Sequence, residues 1–155
     1  MSFNMNRFRQ EAGQLKPRTA DVAVPDLQYW FGDAPAVWTV RGLTGREIAI
    51  ANDVERRAKT YLAAAEAFAS AARSDQADAL KALFGADGSV PEDLAKRFDH
   101  LTFGSVEPAI SREDAVALFA AHPIVAYQLS NKVLELTGLG PELGKAPHST
   151  AAPMS

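Results

Sequence analysis

A helix start at Thr44 and the alanine-rich run that follows it constrain the fold more than any other feature of the sequence. Thr44 and Glu47 have the spacing of a capping box, in which each side chain accepts the backbone N–H of the other residue. Apolar residues then recur at steps of three and four: Ile50, Val54, Ala58, Tyr61 and Ala65. This period predicts one continuous helix from Gly45 to about Arg73, whose apolar face either packs against other helices or binds a partner.

Periodicity and terminal residues predict four more helices. One is expected at 77–84, and the next begins at Ser89, which has capping-box spacing to Glu92. A third begins at Ser111, and the last runs from Pro123 to Gly138. Pro123 separates these two helices, because a proline disfavours helical geometry at the residue before it.

Two aromatic and β-branched runs, at 27–31 and 36–40, are bounded by glycine, proline and aspartate. This pattern predicts a small β-hairpin or strand pair. An isolated two-stranded ribbon is marginally stable in water. Trp30 and Trp38 therefore either pack on the helices or form an apolar patch for a partner.

The predicted fold is mainly α, with about five helices packed as a small helical domain, a small N-terminal β element and flexible termini. Residues 1–25 are predicted to be an extended, partly disordered arm. Residues 26–138 form the single helical domain, and residues 139–155, with three prolines, form a flexible tail. A chain of 155 residues is long enough to bury a core without disulfides or metals.

Composition narrows the possible functions. The absence of cysteine excludes disulfides, thiolate metal sites and cysteine nucleophiles. The net charge is −3, and residues 75–114 hold nine acidic side chains against four basic ones, which disfavours nucleic acid as a partner. No apolar run approaches the roughly 20 residues of a membrane span, so we expect a soluble cytoplasmic protein without membrane contact.

No arrangement of residues typical of catalysis or metal binding is found. The three histidines, His100, His122 and His148, lack a second ligand at a recognised spacing, and Asp99-His100 is interpreted as an ordinary surface pair. Nucleophile elbows and phosphate-binding glycine loops are also missing. We therefore predict no catalytic, cofactor-binding or metal-binding residues, although an enzyme with a site assembled from distant residues remains an alternative.

Four stretches, at 16–19, 22–27, 38–47 and 129–138, give the chain a resemblance to a known family. The most distinctive are Val-Arg-Gly-Leu-Thr-Gly-Arg-Glu at 40–47 and Asn-Lys-Val-Leu-Glu-Leu-Thr-Gly at 131–138. Together they resemble the tail assembly chaperones of long-tailed bacteriophages, which are small, mostly helical and non-catalytic. The resemblance spans most of the chain.

The resemblance implies a protein that binds the tape-measure protein in the cytoplasm of the infected host, helps recruit tail-tube subunits and is absent from the mature virion. It also implies a longer form made by ribosomal frameshifting, for which Gly144-Lys145 is the candidate slip position, and it leaves homo-oligomerisation open. A virion component, such as a head-tail connector or tail-terminator subunit, is the alternative.

The resemblance supplies no binding residues, so the partner-binding candidates come from the sequence pattern. They are Trp30, Trp38, Ile124, Tyr127 and Val133, with the last helix providing most of an apolar docking face. The competing interpretation is that all five belong to the core.

Overall fold

A computed structural model describes residues 2–71 and 90–144. These residues form seven α-helices: α1 (Met5–Glu11), α2 (Gln28–Phe31), α3 (Gly45–Ala51), α4 (Val54–Ala71), α5 (Glu92–Gly104), α6 (Arg112–Ala121) and α7 (Pro123–Leu139). They also form five short strands: β1 (Leu15–Lys16), β2 (Thr19–Ala23), β3 (Val37–Arg41), β4 (Ser105–Glu107) and β5 (Glu142–Leu143). The predicted class, mainly α with small β elements, is confirmed.

The helix count differs from the predicted five for two reasons. The short helices α1 and α2 were not predicted, and the long helix expected from Gly45 is divided into α3 and α4. Asn4 caps α1 by accepting the N–H of Arg7, a local signal within the predicted extended arm. The helix expected at 77–84 and its neighbour Ser89 lie outside the described residues, and α5 begins at Glu92 after Pro91.

The division between α3 and α4 falls at Asn52 and Asp53. The Asn52 N–H donates to the carbonyl of Ile48, and the carbonyl of Asp53 accepts the N–H of Arg57 as α4 begins. Asparagine and aspartate favour helix ends because their side chains compete for backbone hydrogen bonds. The apolar period continues through this break, and therefore the sequence pattern alone predicted one helix.

The capping box at the start of α3 is confirmed. The Glu47 N–H donates to Thr44 Oγ1 over 3.2 Å, and the Thr44 N–H donates to Glu47 Oε1 over 2.9 Å. Arg41, at the end of β3, donates to both oxygens of the same carboxylate over 2.8 and 2.7 Å. The capping residue Glu47 therefore also links the start of α3 to the sheet.

The predicted pairing of 27–31 with 36–40 is wrong. β3 is the central strand of an antiparallel sheet with the order β2-β3-β4, and it pairs Val37 with Ala23 and Arg41 with Thr19. Residues 27–31 instead end a 3-10 turn and form α2, because Pro25 at the first position of the turn favours helical geometry. Glu142 and Leu143, predicted to begin the tail, pair with β1.

A row of aromatic rings crosses the helical bundle. Tyr61 on α4 lies 4.8 Å from Phe98 on α5, which lies 5.2 Å from Phe119 on α6. Phe119 in turn lies 5.2 Å from Tyr127 on α7. The first three side chains are fully buried, so four helices share one continuous aromatic contact in the core.

Asp99 does not lie at the surface, and its interpretation as part of a surface pair is wrong. It is buried on α5 and accepts hydrogen bonds from Arg57 Nε over 2.8 Å and from the Tyr61 hydroxyl over 2.8 Å. A second guanidinium nitrogen of Arg57 donates to the other carboxylate oxygen over 2.6 Å. The sequence pattern missed this site because its cationic partner lies 42 positions earlier on a different helix.

The sheet packs closely on α7. A Cβ added at Gly42 would lie 3.0 Å from the backbone carbon of Leu136, and one at Gly104 would overlap both methyl groups of Val133. Hydrogen bonds reinforce this contact, because the Leu43 N–H donates to Thr137 Oγ1 over 2.9 Å. The helix α7 therefore lies along the sheet, with its carboxyl end beside the β3–α3 connection.

Candidate partner-binding surfaces

The structure separates the five candidate residues into surface and core. Ile124 is 70% exposed and Trp30 is 68% exposed, and Tyr127 is also accessible. Val133 has no exposed surface and Trp38 is buried, with its indole N–H donating to Ser105 Oγ over 3.0 Å. Val133 is nine positions after Ile124, which at 100° per residue places it about 180° around the helix. Val133 therefore belongs to the core, and the prediction that it contacts a partner is wrong.

Trp30 stands at the rim of a concave apolar site, which we call the Trp30 groove. It has a volume of about 650 Å³ and lies between α2, β3, the connection after β4, and α6. Its apolar lining includes Leu27, Trp30, Phe31, Trp38, Ile110 and Leu118. The edge of the Trp30 ring approaches His122, with 5.4 Å between ring centroids. The site is thus open, apolar and bordered by an exposed aromatic ring.

The ionisable groups of the Trp30 groove are mostly acidic. Among the described residues, its lining contains Glu107, Asp114 and His122, and no lysine or arginine. Asp114 accepts the N–H of Ser111 in a capping box, whereas Glu107 forms no ion pair with any described residue. The groove therefore favours an apolar ligand that carries a positive charge.

A second apolar surface lies along α7. Ile124, Tyr127, Asn131 and Leu134 follow one another at steps of three, four and three, and all four are exposed. We call this surface the α7 stripe. Ten positions of helix separate its ends, which corresponds to about 15 Å. A stripe of this length and period suits a second helix laid alongside α7.

Arg97 on α5 fixes one border of the α7 stripe. Its guanidinium lies over the Tyr127 ring, 4.9 Å from the centroid, and donates to Asn131 Oδ1 over 2.6 Å. It also donates to Ser130 Oγ over 2.8 Å. These contacts hold two stripe residues in place before any partner binds, which lowers the conformational entropy that binding would cost.

Potential metal-ligating side chains are not clustered in the described part of the chain. Within residues 2–71 and 90–144, no group of three or more histidine, cysteine, aspartate or glutamate side chains is close enough to hold a metal ion. Burial, together with the nearby Arg97 guanidinium, lowers the pKa of His100 below its ordinary value of 6.5. Among the same residues, no helix is both long and apolar enough to span a bilayer.

The sequence carries a signal for the α7 stripe but none for the Trp30 groove. The steps between Ile124, Tyr127 and Leu134 show that they share a helix face, whereas Val133 does not. The Trp30 groove had no comparable signal, because Trp30 and His122 are 92 positions apart and meet only in the folded chain.

Comparison with protein-family models, with curated proteins and with solved structures gave no match to this chain.

Proposed function

We propose that the protein is a non-enzymatic tail assembly chaperone of a long-tailed bacteriophage, and that a helix of the tape-measure protein docks on the α7 stripe. The observation that carries the proposal is an exposed apolar face on a helix whose opposite face is fully packed. Such a face on a single chain is a typical site for an amphipathic partner helix.

The arrangement of the four resembling stretches supports the proposal. Although they are scattered along the sequence, they meet in the fold: the Gly42 N–H donates to the Arg18 carbonyl over 2.9 Å, and the Leu43 N–H donates to Thr137 Oγ1. The stretches therefore form one structural unit, made of the sheet, the start of α3 and the second half of α7. Short similarities that meet in one folded unit are more specific than four similarities with no spatial relation.

The proposed partner has the right physical character for this surface. A tape-measure protein is expected to be long, helical and apolar, and before assembly it exposes surface that favours aggregation. A helix of such a protein would bury Ile124 and Leu134 against its own apolar side chains. Burial of apolar surface contributes about 25 cal/mol per Å². Several copies of the protein, each covering part of the tape-measure protein with its α7 stripe, would therefore oppose the self-association of that protein.

Co-expression with the tape-measure protein tests the proposal. We expect the wild-type protein to co-purify with it and to keep it in the soluble fraction. The double substitution Ile124→Glu and Leu134→Glu should abolish both effects, because two charges would be buried in the interface. Ile48→Glu and Val106→Glu, at other exposed apolar positions, serve as matched controls.

The result that would contradict the docking site is a folded Ile124→Glu/Leu134→Glu protein that still co-purifies with the tape-measure protein. If the tape-measure protein does not co-purify even with the wild-type protein, the proposed function itself is contradicted. Mass spectrometry of purified virions provides a separate test, because a chaperone should be absent and a connector or tail-terminator subunit should be present.

Two further expectations follow from the proposal. The histidines should not contribute to binding, since no described histidine lies on the α7 stripe. Substitution of His100, His122 and His148 together by glutamine should leave tape-measure binding unchanged between about pH 6 and 8, measured by titration calorimetry. A binding loss in the folded triple variant would contradict the assigned surface.

The frameshifted longer form is tested at the nucleotide level. A slippery heptamer such as G-GGA-AAG should span the codons of Gly144 and Lys145, of which Lys145 lies outside the described residues. An open overlapping frame should follow it. If the heptamer or the overlapping frame is missing, the longer frameshifted product cannot be made, and the chaperone proposal loses support.

A further inference from the structure

The N-terminal segment carries apolar side chains that the domain does not cover. None of the seven residues of α1 is buried, and the large side chains Phe3, Met5 and Phe8 are all exposed. The rings of Phe3 and Phe8 lie 5.5 Å apart and form a single apolar knob. From here on, the word arm refers to residues 2–11, the first part of the longer arm predicted at 1–25. Contiguous exposed aromatic surface of this kind indicates an interaction site.

The charge of the arm is opposite to that of the Trp30 groove. The arm contains Arg7 and Arg9, of which Arg7 pairs with Glu11 over 2.9 Å, while Arg9 forms no ion pair with any described residue. The groove contains Glu107 at its rim, likewise without a described ion pair, and an apolar floor. Its volume of about 650 Å³ fits a few bulky side chains rather than the length of a long helix.

While α1 stays folded, the arm does not reach the groove of its own chain. The arm is anchored beside the carboxyl end of α7, where β1 pairs with β5 and Arg18 Nε donates to the Gly140 carbonyl over 3.0 Å. The groove is at the opposite end of α7, because it includes His122, the residue before Pro123. The 17 residues of α7 span about 25 Å, whereas the path from Phe8 to the anchor at Leu15 spans only about 12 Å while α1 and the 3-10 turn at 12–14 stay folded.

We propose that the arm of one copy docks into the Trp30 groove of a second copy, with Phe3 and Phe8 in the apolar floor and Arg9 beside Glu107. The proposed contact is head-to-tail: each copy donates the arm at one end and accepts an arm in the groove at its other end. Head-to-tail contacts do not stop at a dimer and continue to a ring or an open chain of subunits. The interface uses neither end of the α7 stripe, so it is independent of the proposed tape-measure site and can fail or succeed separately.

Sedimentation velocity of complementary variants tests the interface. The arm variant carries Phe3→Ser and Phe8→Ser, and the groove variant carries Trp30→Ala and Glu107→Arg; all four positions are exposed, so the fold should be retained. The wild-type protein should show a mean mass that rises with concentration beyond that of a dimer. Each variant alone should weaken association at least about tenfold. An equal mixture should form a one-to-one dimer and stop there, because only one intact arm and one intact groove meet.

A second set of variants tests the charge contact without removing apolar surface. Arg9→Glu and Glu107→Arg should each weaken association, and a protein that carries both should recover it. Ile48→Ser, at an exposed apolar position outside the arm and the groove, should associate as the wild type does. The proposal is overturned if the wild-type protein remains monomeric at several hundred micromolar, if the arm variant associates as strongly as the wild type, or if the mixture yields no dimer.

Discussion

Replacement of Asp99 by alanine should destabilise the protein more than removal of any exposed carboxylate on the same helix. The Asp99 side chain has no exposed surface, and the Arg57 side chain is 9% exposed. Asp99→Ala would leave the Arg57 guanidinium buried without its counter-charge. It would also remove the carboxylate to which the Tyr61 hydroxyl donates its shorter hydrogen bond, of 2.8 Å. Among the described residues, Tyr61 would then keep its 3.2 Å contact with Thr102 as its one side-chain hydrogen bond.

The expected cost follows from this geometry. Removing one partner of a buried ion pair typically costs about 3–5 kcal/mol, because the remaining charge stays uncompensated. For a chain of this length each kcal/mol lowers the melting temperature by about 2–4 °C, so Asp99→Ala should lower it by about 6–20 °C. The effect should be felt by α4 and α5 together, since the pair joins these two helices.

Urea unfolding followed by circular dichroism measures the effect, and Asp93→Ala provides the matched control. Asp93 is also on α5 and also contacts an arginine, Arg97, but its side chain is 80% exposed and the contact is 3.5 Å long. An exposed pair of this kind contributes at most about 1 kcal/mol. A difference of less than about 1 kcal/mol between the two variants would refute the argument that burial makes the Arg57–Asp99 pair critical.

The double variant Arg57→Met/Asp99→Leu separates lost charge compensation from lost packing. With both charges removed, no uncompensated ion remains, and well-packed apolar pairs often match a buried ion pair in stability. We expect the double variant to be more stable than Asp99→Ala. A double variant less stable than Asp99→Ala would show that shape, rather than charge, dominates at this position.

Three shorter predictions concern the junction of sheet and helices. Thr44→Ala should cost about 1 kcal/mol in urea unfolding, and an unchanged midpoint would mean that the cap is not needed for α3. Burial alone would raise the pKa of Glu47, but hydrogen bonds from Arg41 and from the Thr44 N–H outweigh it, so the pKa lies below its ordinary value of 4.5. The stability from Glu47 is therefore complete above about pH 4.5 and lost as the pH falls through the lowered pKa, and the difference between wild type and Glu47→Gln should shrink in acid. Gly104→Ala should cost about 1–3 kcal/mol in thermal unfolding, because the added methyl overlaps Val133; a wild-type melting temperature would contradict this close approach.

Local signals in the sequence predicted where several helices begin. Strand pairing depends on non-local contacts, and the sequence did not predict it. Thr44 and Ser111 mark helix starts through hydrogen bonds within three residues, and Pro123 begins α7 as expected. By contrast, β3 pairs with β2, which precedes α2 in the sequence. The aromatic run at 27–31, which the sequence pattern predicted to be its partner, is largely helical. Strand pairing depends on which segment the finished core brings alongside, and sequence proximity is a poor guide to it.

The candidate surfaces show the same division between local and non-local information. The exposed residues of α7 follow from the helical period, because Ile124 and Leu134 fall on the side away from the core. The Trp30 groove depends on contacts between α2, the sheet and α6, and the buried Asp99 depends on a residue of α4. Neither is encoded in a short run of sequence.

The two tryptophans of the chain give it a pair of built-in optical reporters in opposite environments. Trp38 is buried and hydrogen-bonded to Ser105, so its emission should be blue-shifted and largely protected from iodide. Because its ring is also part of the groove lining, a ligand that fills the groove should change its emission less than that of Trp30. Trp30 faces solvent at the groove, so its emission should be red-shifted, readily quenched and sensitive to anything that fills the groove. One spectrum can therefore distinguish a folded protein with an empty groove, a folded protein with an occupied groove and an unfolded chain, without any added label.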